Sequence, residues 1–315
     1  MNHARHAAIG AHGAILIGQV KMKAMDLALG ILVTIIWGSN FSVIEIGLQN
    51  LDPNVMTTMR FALSTLPLIF FVKRPKVSLL AIAAYGTLFG VGLWWVVNLA
   101  MFKGMSPGLS SLVLQFSAFF TILLSAAFLK EPIGGIRAAS MIVAFLGLVL
   151  IIASSKGTAT ATGTLLVLFA ALAWSACNLI VKIHRPSDIV AFIIWSSAFS
   201  TLALLGLTIL RQGVSPFVNL ATTLNYAAAF SLIFQAYVTT IFGYSVWNSL
   251  MKKYEAAVVA PLSLIVPVSG LITSHFVFDE VITPSTWIAI ALVLTGIAMF
   301  VNAPRLSMRL NRAST

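Results

Sequence analysis

Residues Gly108 to Pro132, GLSSLVLQFSAFFTILLSAAFLKEP, form an apolar run long enough to cross a bilayer. A related run returns at Glu255 to Val281, EAAVVAPLSLIVPVSGLITSHFVFDEV. Glu131 and Glu280 then stand 149 residues apart (131 to 280), about half of the 315-residue chain. Trp37-Gly38-Ser39-Asn40 is echoed in the same way by Trp174-Ser175-Ala176-Cys177-Asn178. Such a duplication admits few architectures, and the simplest is two copies of one membrane-crossing unit.

Composition agrees. Hydrophobic residues make up 59% of the chain and charged residues 9%, with a mean hydropathy of +1.01. Soluble domains carry roughly 25% charged residues, too many more for this chain to build a water-facing shell. An all-α integral membrane protein is expected. The formal net charge of +11 does not point to nucleic acid, because the basic residues sit in short clusters between apolar spans. Cys177 is the only cysteine, which excludes an internal disulfide and any multi-cysteine metal site. There is no glycine-rich phosphate loop after a strand, no GxSxG elbow and no metal-spaced His/Cys/Asp set, so neither catalysis nor a cofactor is expected. His3, His6 and His12 cluster in a tail that offers no fold to hold a site.

Ten helical spans are expected, each near the ~20 residues a hydrocarbon layer requires. They lie at 25–46, 54–72, 78–102, 107–129, 135–153, 162–181, 189–210, 225–249, 256–278 and 285–303. Fifteen of the 19 Lys and Arg residues then fall on the side of the N-terminus, and three (Lys103, Lys156 and Arg211) on the other. By the positive-inside rule both termini are cytosolic. Five spans per unit is an odd number, so the second unit enters from the opposite face. The expected organisation is a disordered cytosolic tail at 1–24 (Met22 and Met25 being alternative starts), five-helix repeats at 25–153 and 162–303, and a basic cytosolic tail at 304–315. Inverted repeats of this kind suit alternating-access carriers, with the substrate near mid-membrane.

At these residues the chain resembles the EamA branch of the drug/metabolite transporter superfamily. The likeness is carried by WGSNF at Trp37, MRF at Met59, FFVKRPKV at Phe70, the Gly108 stretch, and APLSLIVPVSGL at Ala260. Together these are most similar to the cysteine/O-acetylserine exporter subgroup. The resemblance implies an inner-membrane exporter of amino acids or related metabolites, with a cavity bordered by spans one, three, four, six, eight and nine. Two positions depart from the pattern. Glu45 stands where many relatives have Lys, and Ala118 where many have the proline that Pro267 retains, so a weaker bend is expected in span four than in span nine.

Polar groups inside a membrane are costly and face protein or water. The candidate substrate-binding amides are Asn40, Asn98, Gln115, Asn178 and Gln235; each offers donors and acceptors to a zwitterion without a fixed charge. Helix-to-helix bonding is the competing role. The candidate aromatic lining is Trp37, Trp94, Trp174, Tyr237 and Tyr244, able to meet an ammonium by cation–π attraction; for Trp247 packing is favoured. Pro261 and Pro267 remove backbone donors from span nine and are candidate gating positions. None of the eight acidic residues lies deep in a span, which argues against a mid-membrane carboxylate relay. Arg60 is expected to reach the outer interface, ahead of pairing with Glu45 or holding a carboxylate. The partners expected are a small molecule and the lipid bilayer, and a homodimer is compatible with the sequence.

Overall fold

The computed structural model describes residues 22–130, 134–154, 160–254, 259–280, 283–303 and 306. Most of both expected tails, together with Glu131, lies outside the described residues. The first repeat holds α1 (Ala24–Leu48), α2 (Pro53–Thr65), α3 (Leu79–Phe102), α4 (Pro107–Leu129) and α5 (Gly135–Ser154). The second holds α6 (Ala161–His184), α7 (Ile189–Gln212), α8, α9 and α10 (Pro284–Val301). Three joined pieces make α8: Tyr226–Ile233, Phe234–Phe242 and Gly243–Lys253. Helix α9 is a 3₁₀ turn, Ala260–Leu264, followed by Ile265–Phe278.

Local chemistry explains where these helices begin and end. Asp52, Ser78, Ser106, Thr160, Asp188, Asn225 and Thr283 each accept a backbone N–H from the first turn they precede. Pro53, Pro107 and Pro284 occupy first helical positions, where no backbone donor is needed. Lys130 and Asp279, 149 residues apart (130 to 279), end α4 and α9 in the left-handed conformation with φ of 55° and 52°. The duplication read from sequence thus extends to the backbone.

The second span is shorter than its expected 54–72. Helix α2 stops at Thr65 because Pro67 follows Leu66 and drives it to extended backbone (φ −97°, ψ 133°). The remaining apolar residues form a 3₁₀ turn at Leu68–Phe70.

Contacts fix the direction of each helix. Helices α1 and α9 run parallel, since Gly30 faces Leu262, Thr34 meets Ser269 and Ser42 bonds Thr273. Helix α4 opposes α9: Gly108 faces Glu280 and Leu271, while Gln115 reaches Ser263. Helix α6 follows α4 through Ser175 to Ser117, Asn178 to Thr121 and Lys182 to Ser125. Hence α6 runs against its counterpart α1, and α9 against α4. The two repeats have opposite polarity, and they interlock rather than sit side by side. One end of the bundle, the near end, carries Lys23, Lys182 and Lys253; the far end carries Asn50, Ser106, Gln212 and Glu280.

Two apolar clusters hold the bundle. One joins α1, α2, α3, α6, α7 and α8 around Phe61, Phe89 and Phe192; the other joins α4, α5, α6, α9 and α10 around Leu112, Phe119 and Val293. The outer surface is also apolar, with Leu80, Leu210 and Phe276 more than three-quarters exposed. Water would not tolerate so much greasy surface on a monomer, and lipid does.

Candidate functional site

Four helices are interrupted at mid-bundle, in repeat-related pairs. Helix α3 has a π segment at Leu88–Trp95, and α8 has one at Phe234–Phe242. Helix α4 breaks at Gln115–Phe116, where backbone N–H groups reach back only three residues, to Leu112 (3.2 Å) and Val113 (3.1 Å). Helix α9 is tightened at Ala260–Leu264. Gln115 and Leu264 are again 149 residues apart (115 to 264). The break in α4 forms without a proline, three residues before Ala118. The Gln115 side-chain amide donates to the Ser263 carbonyl at 3.1 Å, tying one break to the other. Interrupted helices at mid-membrane are where carriers place polar backbone.

A cavity of about 340 Å³ lies at these breaks, within the range of small-molecule sites. Helices α1, α3, α4, α6, α8 and α9 border it, and α7 adds Ile189 and Ile193. From mid-bundle its lining extends toward the near end, to Val181, Ile189 and Asn248. Trp37 anchors an aromatic wall: its ring lies 5.2 Å from Tyr244 and 5.3 Å from Trp247, and its Nε1 donates to the Thr239 carbonyl at 3.1 Å. Trp174 stands 6.3 Å from Tyr244, and Trp94 lines the cavity with its ring 6.1 Å from Phe41.

Six of the ten candidate residues line this cavity: Trp37, Trp94, Gln115, Trp174, Asn178 and Tyr244. The other four lie elsewhere. Asn40 is buried and accepts from Thr239 Oγ1 at 3.0 Å. Asn98 donates to Thr57 at 2.8 Å, and Gln235 bonds Arg60 and Ser231. Tyr237 points away, its hydroxyl donating to Leu66 O at 3.4 Å. Pro267 sits in the turn just after the α9 break; Pro261 falls within the 3₁₀ turn, its side chain outside the described residues. Trp247 lines the cavity rather than serving only as packing. Tyr85, Thr239, Asn248 and Ser263 also line it and were not singled out. The signal for Asn248 was its spacing of four from Tyr244, one turn along the same face.

Arg60 corrects the expectation. It is 0% exposed and does not reach the interface. Nη1 donates to Gln235 Oε1 and Nη2 to Thr240 Oγ1, both at 3.3 Å, and the guanidinium lies 4.0 Å from the Trp94 ring centroid. Among the described residues no carboxylate comes within 4.0 Å of it, Glu45 included. The cause is α8, whose π segment presents two neutral acceptors to α2 and holds the cation inside.

The far end is closed. Glu280, buried at the end of α9, accepts from Ser106 Oγ at 2.5 Å and from Ser274 Oγ, and its carbonyl meets His275 Nδ1 at 2.9 Å. Nearer mid-bundle, α1, α9 and α4 approach through Gly38, Ser269, Gly270 and Ser111. At the near end, α1 and α8 are joined by Asp26, which bonds Lys253 Nζ and the Tyr254 hydroxyl at 2.5 Å each.

Known proteins share this plan. The probable amino-acid metabolite efflux pump of Escherichia coli is 36% identical over 283 residues, covering 88% of this chain and 94% of the relative. Its namesake in Salmonella typhimurium is 36% identical over 282 residues, with the same coverage. An uncharacterized transporter of Bacillus subtilis, YoaV, is 24% identical over 287 residues. A solved crystal structure with 17% identity matches 92% of this chain and 99% of its own length with a TM-score of 0.59, a likeness of fold alone. The family profile described as EamA-like transporter matches twice, at residues 25–153 and 161–302, the same division that the paired helix breaks mark. With both repeats matched and nearly the whole length aligned, the chain belongs to the EamA-like transporter family.

Proposed function

We propose that the protein exports small amino-acid-like metabolites, of the cysteine/O-acetylserine kind, across the cell inner membrane by alternating access. The observation that carries this reading is the cavity between two repeats of opposite polarity, walled by side-chain amides and aromatic rings and clamped at the far end. The efflux-pump names of the two 36% identical relatives point the same way. The excess of Lys and Arg at the near end supports a cytosolic placement of that end, so the described state faces the cytosol, ready to load. The repeats at 25–153 and 162–303 would exchange conformations as the site turns outward.

A carrier for hydrophobic cations would be served by a carboxylate in the cavity, and among the described lining residues there is none. A helical subunit that transports nothing would have no use for a cavity of this size.

Counterflow into liposomes tests the reading. Purified protein loaded with unlabelled L-cysteine or O-acetyl-L-serine should accumulate the labelled compound transiently, whereas protein-free vesicles should not. Gln115→Ala removes the amide at the paired breaks, and one hydrogen bond of ~0.5–1.5 kcal/mol corresponds to a half-saturation concentration raised about twofold to twelvefold. An unchanged concentration would remove Gln115 from the site.

A further inference from the structure

We propose that Arg60 is the fixed positive charge that selects the carboxylate end of the transported molecule, acting through the Trp94 wall of the cavity. The inference rests on the transport reading above and adds which end of the ligand goes where. An arginine stays charged at any physiological pH, and this one is sealed in the bundle. Its two bonded nitrogens meet neutral acceptors, its Nε has no partner, and no described carboxylate neutralises it. A buried charge without a counter-ion projects its field through low-dielectric surroundings. Trp94, whose ring the guanidinium faces at 4.0 Å, lines the cavity.

Two more buried donors beside the cavity lack acceptors. One is Trp94 Nε1, on a residue that lines the cavity. The other is Asn40 Nδ2, whose residue lies between the lining residues Trp37 and Phe41 and is bonded to the lining residue Thr239. An ionised carboxylate only accepts hydrogen bonds, so an excess of donors under a positive field is its complement.

The Gln115 and Asn178 side chains have the converse character. Gln115 and Asn178 direct their NH₂ groups at Ser263 O and Thr121 Oγ1, which leaves their amide oxygens as acceptors. The faces of Trp37, Trp174 and Tyr244 attract a cation. The lining is therefore suited to a zwitterion, carboxylate toward Trp94 and ammonium toward the Gln115 and Asn178 oxygens, and the field of Arg60 repels ligands that carry only positive charge.

Binding of L-cysteine and of L-cysteine methyl ester, which lacks the carboxylate, tests this by quenching of tryptophan fluorescence in nanodiscs under reducing conditions. The wild-type protein is expected to prefer the amino acid by about tenfold or more. Arg60→Gln should abolish that preference by weakening the amino acid while leaving the ester within about twofold, and Arg60→Lys should retain part of it. Gln235→Glu places a carboxylate on Nη1 without removing the guanidinium; it should lower the preference in the same way, and it answers the question if Arg60→Gln fails to fold. An equal loss for both ligands in Arg60→Gln, a preference that survives Gln235→Glu, or a wild type that binds both equally would overturn the proposal. A wild type that neither binds nor exchanges either compound would instead sink the transport reading on which it rests.

Discussion

Gly38→Val is expected to abolish transport and to leave little folded protein in the membrane. Even a single Cβ at Gly38 would overlap Ser269 Oγ, the Val266 carbonyl oxygen and the Gly270 nitrogen. Two of these are backbone atoms of α9, which cannot rotate aside as a side chain can. Helices α1 and α9 would have to part along the seam where Gly270 also accommodates Ser111 of α4. Small residues provide such close approach in membranes, where no hydrophobic force drives one helix onto another. Overpacking commonly costs ~1–3 kcal/mol, and a backbone obstacle puts this position at or above the top of that range. Gly206→Val is the control: an added Cβ there meets nothing within 4 Å, and melting should stay within ~0.5 kcal/mol of wild type. Comparable losses for both variants in a thermal melt would refute the seam.

Glu280→Ala is expected to release the far end. In the described state its carboxylate accepts a hydrogen from Ser106 at the start of α4, joining the two broken helices at their far tips, and a second from Ser274 within α9 itself. Hydrogen bonds to a charged acceptor contribute ~1.5–3 kcal/mol each. Only the Ser106 bond crosses between helices, so its loss shifts the balance between closed and open far ends by roughly tenfold to a hundredfold. Glu280→Gln retains one amide oxygen and should have a smaller effect. The check is a cysteine placed at Ser42, which bonds Thr273 in this half of the bundle. Its labelling by a membrane-impermeant maleimide from the far face should rise sharply in the Glu280→Ala background. Unchanged labelling would mean that the carboxylate does not hold the gate. Cys177 contributes no background, being fully buried.

The order and duplication of the spans were legible in the sequence because all but α2 rest on bulk apolarity, which a bilayer demands of a crossing. What was not legible is rotation about each helix axis. In a soluble helix the polar face marks the outside, but a span that is apolar all round carries no such mark. Asn40, Asn98 and Gln235 were therefore indistinguishable from Asn178 and Gln115, although the first three bond to neighbouring helices and the last two line the cavity. The Arg60 environment is set by Gln235 and Thr240, 175 and 180 residues further along the chain, and a long cationic side chain read alone suggests an interface. The π segments leave no trace in composition. The break in α4 arises without the proline whose absence had suggested a weaker bend. By contrast Trp37 and Trp174, each paired with an asparagine by the repeat, do stand at the cavity.

Alternation itself is tested most directly by labelling from both faces during turnover. Asn248→Cys lines the cavity toward the near end, and Ser42→Cys lies sealed in the far half. In vesicles of known orientation at rest, impermeant maleimide should reach the first from the near side and leave the second unmodified. With saturating L-cysteine driving exchange, labelling at position 248 should fall while labelling at position 42 appears from the opposite side. Labelling of both positions from one face, or of neither in response to substrate, would contradict a site that turns from one side of the membrane to the other.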